Sequence, residues 1–250
     1  MIELLGREGR AALLPFYQNT KDTLLLSGLQ GHLGRAFLSD QQKSCLVIVQ
    51  GFIFLGGEPD EAFFCQAMAC APKYFLTFSG SKEWLAVAVA WGANVAMTRY
   101  DIENPPAFDQ NKLRALAAPP SGFVIHRADE KLYRQCLSLS WCNDVVSAYG
   151  DYDDFRARGG AVFALDGDQI VAGCGAYAHA DGQWEIEIDT HPDYRRRGLG
   201  TACGAAFLLL CLEKGIAPHW DAMTPISLSL AGKLGFGKAH PYLVVCREGE

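Results

Sequence analysis

The alternation of acidic and apolar side chains from Trp184 to Thr190 predicts a β-strand with one polar and one buried face, because successive side chains on a strand point to opposite faces. A basic turn with two glycines, Gly198 and Gly200, comes next. The apolar run that follows predicts a helix from Leu199 to Lys214, and Gly215 stands where a left-handed cap ends such a helix. A strand, a tight turn and a buried helix therefore follow one another here.

The rest of the C-terminal half predicts further strands and helices around this segment. Asp166-Gly167 is a strong hairpin signal. Pro218 removes a hydrogen-bond donor within a predicted strand, so one side of that strand should be unpaired there. The predicted elements are strands Phe123–His126, Ala161–Leu165, Ile170–Tyr177 and Ile216–Ala222, and helices Asp129–Ser140, Asp151–Arg158 and one capped by Thr224 that ends at Leu234.

The N-terminal half alternates helical and strand-like patterns. Its predicted helices are Gly9–Tyr17, Lys21–Gln30, one capped by Asp60 that runs through Cys70, and Glu83–Trp91, and its predicted strands are Arg35–Leu38, Ser44–Leu55 with a break at Gly51, Lys73–Phe78 and Asn94–Tyr100. Proline pairs at 105–106 and 119–120 mark a junction. We therefore predict two domains, residues 1–120 and 121–250.

Composition narrows the class of protein. With 250 residues, of which 50% are apolar and 20% charged, the chain suits one large or two modest globular domains. A net charge of −6 argues against nonspecific nucleic-acid binding and mildly favours cationic substrates such as amines. The nine cysteines form no C-x-x-C pair. Early charges, Arg10 among them, interrupt any apolar segment that would resemble a signal peptide. These features predict a cytoplasmic protein with reduced cysteines and no membrane contact.

The basic turn carries the first chemical signal. Arg195, Arg196 and Arg197 lie at the positive end of the predicted helix dipole, where each is disfavoured by ~0.3–1 kcal/mol unless an anion is present. Gly198 and Gly200 let backbone N–H groups approach a ligand closely. The combination indicates a phosphate or pyrophosphate site, and a solvated basic turn is the alternative.

The six residues from Arg195 to Gly200 match the (Gln/Arg)–X–X–Gly–X–(Gly/Ala) motif of the GNAT superfamily of N-acetyltransferases, and HPDYRRRGLG resembles that family's coenzyme A signature. The resemblance extends from about Val124 to Arg247, and GHLGRA near the start resembles a two-domain bacterial subgroup. It implies an α+β protein: a C-terminal GNAT-like acyl-CoA N-acyltransferase fold, with a mixed, mostly antiparallel central sheet and flanking helices, preceded by a smaller α/β domain of unknown role.

In that family, backbone N–H groups of the motif hold the pyrophosphate of acetyl-CoA, and the preceding strand pairs with the pantetheine arm. The arm enters between two splayed strands, which fits the unpaired side predicted at Pro218, although an ordinary edge strand explains it equally well. The resemblance therefore implies acetyl-CoA as acyl-donor substrate and no metal. The residues that it assigns to acetyl-CoA binding are Ile188, Asp189, Thr190, Arg195, Arg196, Arg197, Gly198, Leu199, Gly200, Thr201 and Thr224.

Aminolysis of a thioester needs a base, because an amine is protonated at neutral pH. Glu185, Glu187 and Asp189 lie on one face of the strand by alternation, and burial of a carboxylate there would raise its pKa toward neutrality. The family often carries a base near the start of this strand, which favours Glu185, with Glu187 second. A β-bulge could reverse the facing of Glu185 relative to Asp189. A solvated acidic face is the alternative.

A general acid for the departing thiolate is harder to identify. Ala231 stands where many family members have a tyrosine, and Thr224 where many have an asparagine that can cap a helix. Tyr242 is our first candidate for the acid, and Tyr194 and His240 are the other available donors. His191 and His219 are further candidates for a catalytic role, although His191-Pro192 also explains the end of the strand.

We therefore predict an N-acetyltransferase that moves an acetyl group from acetyl-CoA to a primary amine of a small molecule by direct attack in a ternary complex. The missing tyrosine at position 231 leaves a second hypothesis, a non-catalytic acyl-CoA-binding sensor or regulatory module. We expect neither nucleic acid nor membrane as partner. The first domain could form a lid, a second pocket or the contact of a homodimer.

Overall fold

The chain forms two units in the computed structural model, which describes residues 1–72 and 75–248. The first unit comprises residues 1–99 with the end of the chain from 241 onward, and the second comprises residues 100–240. These boundaries fall within the strands Val95–Ile102 and Ala239–Arg247. The proline pair at 119–120 lies inside the second unit, and a functional division at residue 120 stays a prediction.

Within the described residues of the first unit, six strands lie in the order β1-β2-β3-β4-β5-β12, and only β4 and β5 pair in parallel. The strands are β1 (Ile2–Leu4), β2 (Arg35–Leu38), β3 (Ser44–Val49), β4 (Phe52–Gly57), β5 (Leu76–Ser79) and β12 (Ala239–Arg247). The helices are α1 (Gly6–Arg10), continued by a 3-10 helix (Ala11–Phe16), α2 (Thr23–Leu29), α3 (Glu61–Met68) and α4 (Lys82–Trp91). Lys73 and Tyr74 of the predicted strand lie outside the described residues.

Arg10, one of the early charges, is buried in the first unit. Its guanidinium donates to four backbone carbonyls, those of Leu4 at 3.2 Å, Gly28 at 2.5 Å, Leu33 at 3.0 Å and Gly34 at 2.8 Å. A Cβ on Gly34 would lie 1.9 Å from the carbonyl oxygen of Ile48, so the close approach requires glycine. This packing accounts for two residues of the GHLGRA string, the second glycine and its preceding leucine.

The second unit contains the mixed sheet that the sequence predicts. Its strands lie in the order β6-β11-β10-β9-β8-β7, and only β10 and β11 pair in parallel. They are β6 (Val95–Ile102), β7 (Val124–Arg127), β8 (Ala161–Asp166), β9 (Gln169–Ala180), β10 (Gln183–Thr190) and β11 (Ala217–Ala222). The helices are α5 (Gln110–Leu116), α6 (Glu130–Leu137), α7 (Tyr152–Arg158), α8 (Leu199–Lys214) and α9 (Pro225–Leu234), with short 3-10 segments at Asn143–Val145 and Pro192–Tyr194.

Helix α8 supplies much of the second core because apolar side chains surround it. Phe207 is fully buried and stacks on Trp184 with ring centroids 5.6 Å apart. A Cβ on Gly204 would lie 2.8 Å from Leu234 of α9, so the glycine lets these elements pack closely. This packing fixes α8 beside β10 and so places the basic turn.

Candidate active site

Strands β10 and β11 pair in parallel over only three residues each, Gln183–Glu185 with Ala217–His219. On its other side, β11 pairs with β6 from Trp220 to Ala222. Ile186–Thr190 continue along β10 beyond the residues that pair with β11. The two strands therefore splay apart after Glu185 and His219.

Pro218 itself lies beside β6 rather than in the opening. Pairing of β11 with β6 begins two residues later, at Trp220. The side-chain amide of Asn104 donates to the Pro218 carbonyl at 2.8 Å. The N–H and C=O of one strand residue point to the same side, so the missing proline donor also faces β6. The predicted gap exists, but it lies on the side opposite to the splay.

The basic turn ends at an uncapped helix N-terminus. Arg196 has φ 62° and Gly198, the N-cap of α8, has φ 83°. No side chain among the described residues makes a capping hydrogen bond at this end. Backbone N–H groups of the first helical turn have no partner within the helix and are suited to an anion. Arg196, Gly198, Leu199 and Thr201 thus lie together, as the motif implies.

The second glycine of the motif has a packing role. A Cβ on Gly200 would lie 3.3 Å from the Thr190 hydroxyl and 4.0 Å from Ile188. Arg195 donates to the Thr190 carbonyl at 3.2 Å, which ties the turn back to the end of β10. The structure thus brings together Ile188, Thr190, Arg195 and Gly200, which the sequence assigned to one site.

The remaining residues of the turn contact one another. The Arg197 guanidinium lies 4.9 Å from the ring centroid of Tyr194, whose hydroxyl donates to Asp166 at 3.0 Å. The His191 ring accepts from the backbone N–H of Asp193 at 3.3 Å and so caps the 3-10 turn. His191 therefore has the structural role that the His-Pro pair indicated.

Glu185 is buried where β10 and β11 part. Its carboxylate lies 2.5 Å from Nδ1 of His219, and it accepts the backbone N–H of Asp221 at 3.3 Å. The other ring nitrogen of His219 lies 3.1 Å from Asp101 on β6. The sequence singled out Glu185 and His219 separately, but it missed Asp101, which lies one residue beyond the predicted strand Asn94–Tyr100.

Glu187 and Asp189 lie further along β10, opposite two glycines of β9. Glu187 pairs with Gly175, where a Cβ would lie 2.7 Å from the Val145 carbonyl, and Asp189 pairs with Gly173. The short segment that contains Val145 therefore packs directly onto this face. Burial raises the pKa of Glu187 to about 8, assisted by the charge of Asp189. Burial, with the charge of Asp144, raises the pKa of Asp189 to about 6.

A β-bulge is present between Glu185 and Ile186, but its extra residue lies on the partner strand, β9. Glu185 pairs with Ala178 and Ile186 with Ala176, so Tyr177 of β9 is the unpaired residue. The backbone of β10 keeps its alternation. Glu185, Glu187 and Asp189 therefore stay on one face, as alternation predicted.

The raised pKa of Glu187 makes a prediction about stability. Between about pH 4.5 and pH 8 the folded protein holds a proton that the unfolded chain has lost, so this group lowers stability as the pH rises through that window. Glu187→Gln removes the penalty. We expect its gain in unfolding free energy over the parent to be larger at pH 8 than at pH 5 by roughly 1–3 kcal/mol.

Urea unfolding of both proteins at the two pH values measures this difference. Glu61→Gln, an exposed carboxylate at the start of α3, is the matched control and should not change with pH relative to the parent. Parallel pH dependences for Glu187→Gln and the parent would mean that Glu187 is not desolvated in the folded protein.

The residues that bear on the identity of the general acid lie in both units. Thr224 caps α9 by accepting the N–H of Ser227 at 3.1 Å, and Ala231 is fully buried in the core of the second unit. His240 lies 2.7 Å from Glu103. Tyr242 is half-buried in β12 and belongs to the first unit. A role for Tyr242 in catalysis stays a prediction.

Residues 1–72 and 75–248 contain no helix with both the length and the apolar character needed to cross a bilayer. The same residues contain no group of three or more His, Cys, Asp or Glu side chains arranged to hold a metal ion.

Comparison with known proteins identifies the family. The sequence matches the family model described as GNAT acetyltransferase over residues 14–245, which is most of the chain. The chain belongs to the GNAT acetyltransferase family. This is a family of enzymes, and the resemblance seen in the turn Arg195–Gly200 is confirmed.

Solved structures agree with this assignment. A GCN5-related N-acetyltransferase-like protein from Streptococcus suis is 31% identical, with 98% of each chain covered and a TM-score of 0.86. A GCN5-related N-acetyltransferase from Kribbella flavida, at 17% identity, TM-score 0.58 and coverage of 98% of this chain and 97% of its own, shares the fold. The mixed sheet with flanking helices is therefore a GNAT fold.

A curated relative is similar over a shorter region. An uncharacterised N-acetyltransferase from Bacillus subtilis is 29% identical over 131 residues, which are 50% of this chain and 48% of the relative. The match thus spans about half the length of that relative. Its name agrees with the family.

Proposed function

We propose that this GNAT protein transfers an acetyl group from acetyl-CoA to a primary amine of a small molecule, by direct attack in a ternary complex. The observation that carries the proposal is the position of Glu185. A buried carboxylate lies where β10 and β11 part, on the strand that leads into the basic turn. The site therefore combines a proton acceptor with an anion-binding helix end.

The basic turn suits the phosphates of acetyl-CoA. An uncapped helix N-terminus, a glycine N-cap with positive φ and three consecutive arginines offer N–H groups and positive charge to an anion. We assign the pyrophosphate to the N–H groups from Arg196 to Thr201. The pantetheine arm would lie along Ile188, Asp189 and Thr190, where β10 continues beyond the residues that pair with β11. Thr224, the N-cap of α9, is the last proposed contact.

The acceptor amine arrives as an ammonium ion and must lose one proton before it attacks. We assign the base to Glu185 first and Glu187 second. The amine N–H bond breaks as an O–H bond forms on the carboxylate. The nitrogen then bonds to the thioester carbonyl carbon, and the carbon–sulfur bond breaks. The nitrogen loses its second proton to become the amide, and this balances the proton that the departing thiolate takes up as coenzyme A leaves. A thiolate is a tolerable leaving group, and Tyr242 is the proposed acid.

The charge of this face suits a cationic acceptor. Glu185, Glu187 and Asp189 share one face of β10, and those that are ionised would attract an ammonium group. A nucleic-acid acceptor would be repelled by the same charges.

Thiol release from acetyl-CoA tests the proposal. The purified protein is incubated with a panel of primary amines, and free thiol and acetylated product are measured together. We expect both to appear in equal amounts with at least one small amine. Coenzyme A binding detected by a thermal shift, without turnover on a broad panel, would instead support the sensor hypothesis raised by Ala231.

The setting of the protein is a further part of the proposal. All nine cysteines are free thiols, which suits the reducing cytoplasm. A homodimer stays a prediction, and light scattering of the full chain measures it. The partners that we propose are acetyl-CoA and the small-molecule amine.

A further inference from the structure

Three side chains on neighbouring strands form a continuous hydrogen-bonded chain. Glu185 of β10 lies in register with His219 of β11, with Oε2 and Nδ1 2.5 Å apart. Nε2 of His219 lies 3.1 Å from Oδ1 of Asp101 on β6. Exposure increases along the chain: the side chains are 5% exposed for Glu185, 10% for His219 and 49% for Asp101.

Two protonation states satisfy these hydrogen bonds: an imidazolium between two carboxylates, and a neutral ring that accepts from a protonated Glu185 while it donates to Asp101. The negative charge of Asp101 beside the ring favours the first. A neutral imidazole has one N–H and one acceptor nitrogen, so it can donate to only one of two carboxylates. An imidazolium donates from both nitrogens and satisfies Glu185 and Asp101 together. A buried carboxylate without a counter-charge is costly, and it takes up a proton instead. The positive ring therefore favours an ionised Glu185.

We propose that His219, held as an imidazolium by Asp101, is the positioning residue that keeps the buried Glu185 carboxylate ionised and oriented to accept the proton of the acceptor amine. The inference rests on the proposed function, because it assigns to Glu185 the role of base. His219 acts through Glu185 and does not itself contact the substrate. Asp101 supports the ring from its more exposed side.

Other charged groups surround this chain and affect its pH dependence. The Glu185 charge contributes to the raised pKa of Glu187, so negative charge along β10 opposes ionisation of Glu187. His219 supplies positive charge that opposes this effect. The titratable groups on the elements around Glu185 are Glu187 and Asp189 on β10, Tyr177 and His179 on β9, His219 and Asp221 on β11, Asp101 on β6 and Asp144 in the 3-10 segment.

His219→Asn tests the inference through the pH profile. An asparagine amide can still donate toward Glu185 from near the Nδ1 position, but it carries no charge. We expect the acid limb of kcat/KM for an accepted amine to move to higher pH by about one unit or more, with the rate recovering toward that of the parent at high pH. Asp101→Asn should move it in the same direction by a smaller amount.

Double substitution and an exposed control sharpen the test. Asp101→Asn should add no further shift in the His219→Asn background, because Asp101 acts through the ring. His126→Asn, at an exposed histidine of β7, should leave the profile unchanged. A merely structural role of His219 would lower the rate equally at all pH values, and that result would overturn the inference.

Nitrogen-15 NMR of the histidine rings gives a readout that does not depend on turnover. His219 is assigned by the signals lost in His219→Asn. We expect both of its ring nitrogens to be protonated at pH 7 in the parent and one to lose its proton in Asp101→Asn. A neutral His219 ring in the parent would overturn the inference.

The two proposals can fail separately. If the parent acetylates amines and Glu185→Gln is slow, but His219→Asn keeps the parent profile, the inference is wrong and the proposed function stands. If Glu185→Gln keeps the parent rate, Glu185 is not the base, and the inference fails with that part of the proposed function.

Discussion

Glu185→Gln should lower turnover on an accepted amine by roughly 10²–10⁴-fold at neutral pH, which is the usual contribution of a general base. Glutamine keeps the size of the side chain and most of its hydrogen bonding but cannot accept the ammonium proton. The loss should shrink at high pH because the amine then arrives deprotonated. Steady-state thiol release between pH 6 and pH 10 measures both effects, and coenzyme A affinity should change little.

Glu187 is the competing base, and its pKa separates the two candidates. A group with a pKa of about 8 is mostly protonated at pH 7 and would give an acid limb near pH 8. If such a limb disappears in Glu187→Gln while Glu185→Gln remains fast, the base is Glu187. Glu61→Gln controls for the loss of a carboxylate elsewhere. Near-parent rates in Glu185→Gln, Glu187→Gln and Asp189→Asn would exclude every side chain of β10 as base.

Elements with local signals at both ends were predictable from the sequence. The helix predicted from Leu199 to Lys214 has those bounds in the structure, because Gly198 and Gly215 adopt positive φ at its two ends. Strand β10 begins one residue before the predicted Trp184. The alternation of charged and apolar side chains along a strand depends on neighbouring residues alone, so this periodicity was sufficient to predict β10.

The hydrogen-bonded chain around His219 could not be predicted in the same way. Glu185, His219 and Asp101 come from three strands that are far apart in sequence, and the register of the sheet brings them together. No local pattern specifies which residues of a short parallel pair lie opposite each other. The sequence could therefore nominate Glu185 and His219 singly, but not their contact.

Burial of a polar group was a second limit. Arg10 is one of several charged residues near the start of the chain, and nothing in its sequence neighbours shows that its guanidinium is buried and donates to four backbone carbonyls. Those acceptors lie on segments whose arrangement depends on the whole first unit. The bulge at Tyr177 could not be predicted from β10 either, because the alternation of side chains along β10 does not depend on an extra residue in β9.

Gly198→Asp should weaken coenzyme A binding by roughly 10- to 100-fold, equal to about 1.4–2.8 kcal/mol. The substitution adds a side chain and a negative charge at the helix end assigned to the pyrophosphate. Gly198 has φ 83°, so any other residue there is also strained. A control with the same strain is therefore needed, and Gly198→Asn separates the effect of charge from that of size.

Gly215→Asp provides that control because Gly215 lies at the other end of the same helix. Its φ is 67°, and a Cβ there would have no atom within 4 Å, whereas at Gly198 the nearest is Pro120 at 3.8 Å. Aspartate is favourable at a helix N-terminus and unfavourable at a C-terminus. We therefore expect Gly198→Asp to melt at or above the temperature of Gly215→Asp and yet to be the variant that loses affinity.

Calorimetric titration with coenzyme A and thermal melts followed by circular dichroism measure the two quantities on each variant. Stability and affinity should move in opposite directions between the two aspartate variants, which general unfolding cannot produce. Gly198→Asn should fall between the parent and Gly198→Asp in affinity, since it adds bulk without charge. Parent-like affinity in a folded Gly198→Asp protein would show that the pyrophosphate does not bind at the N-terminus of α8.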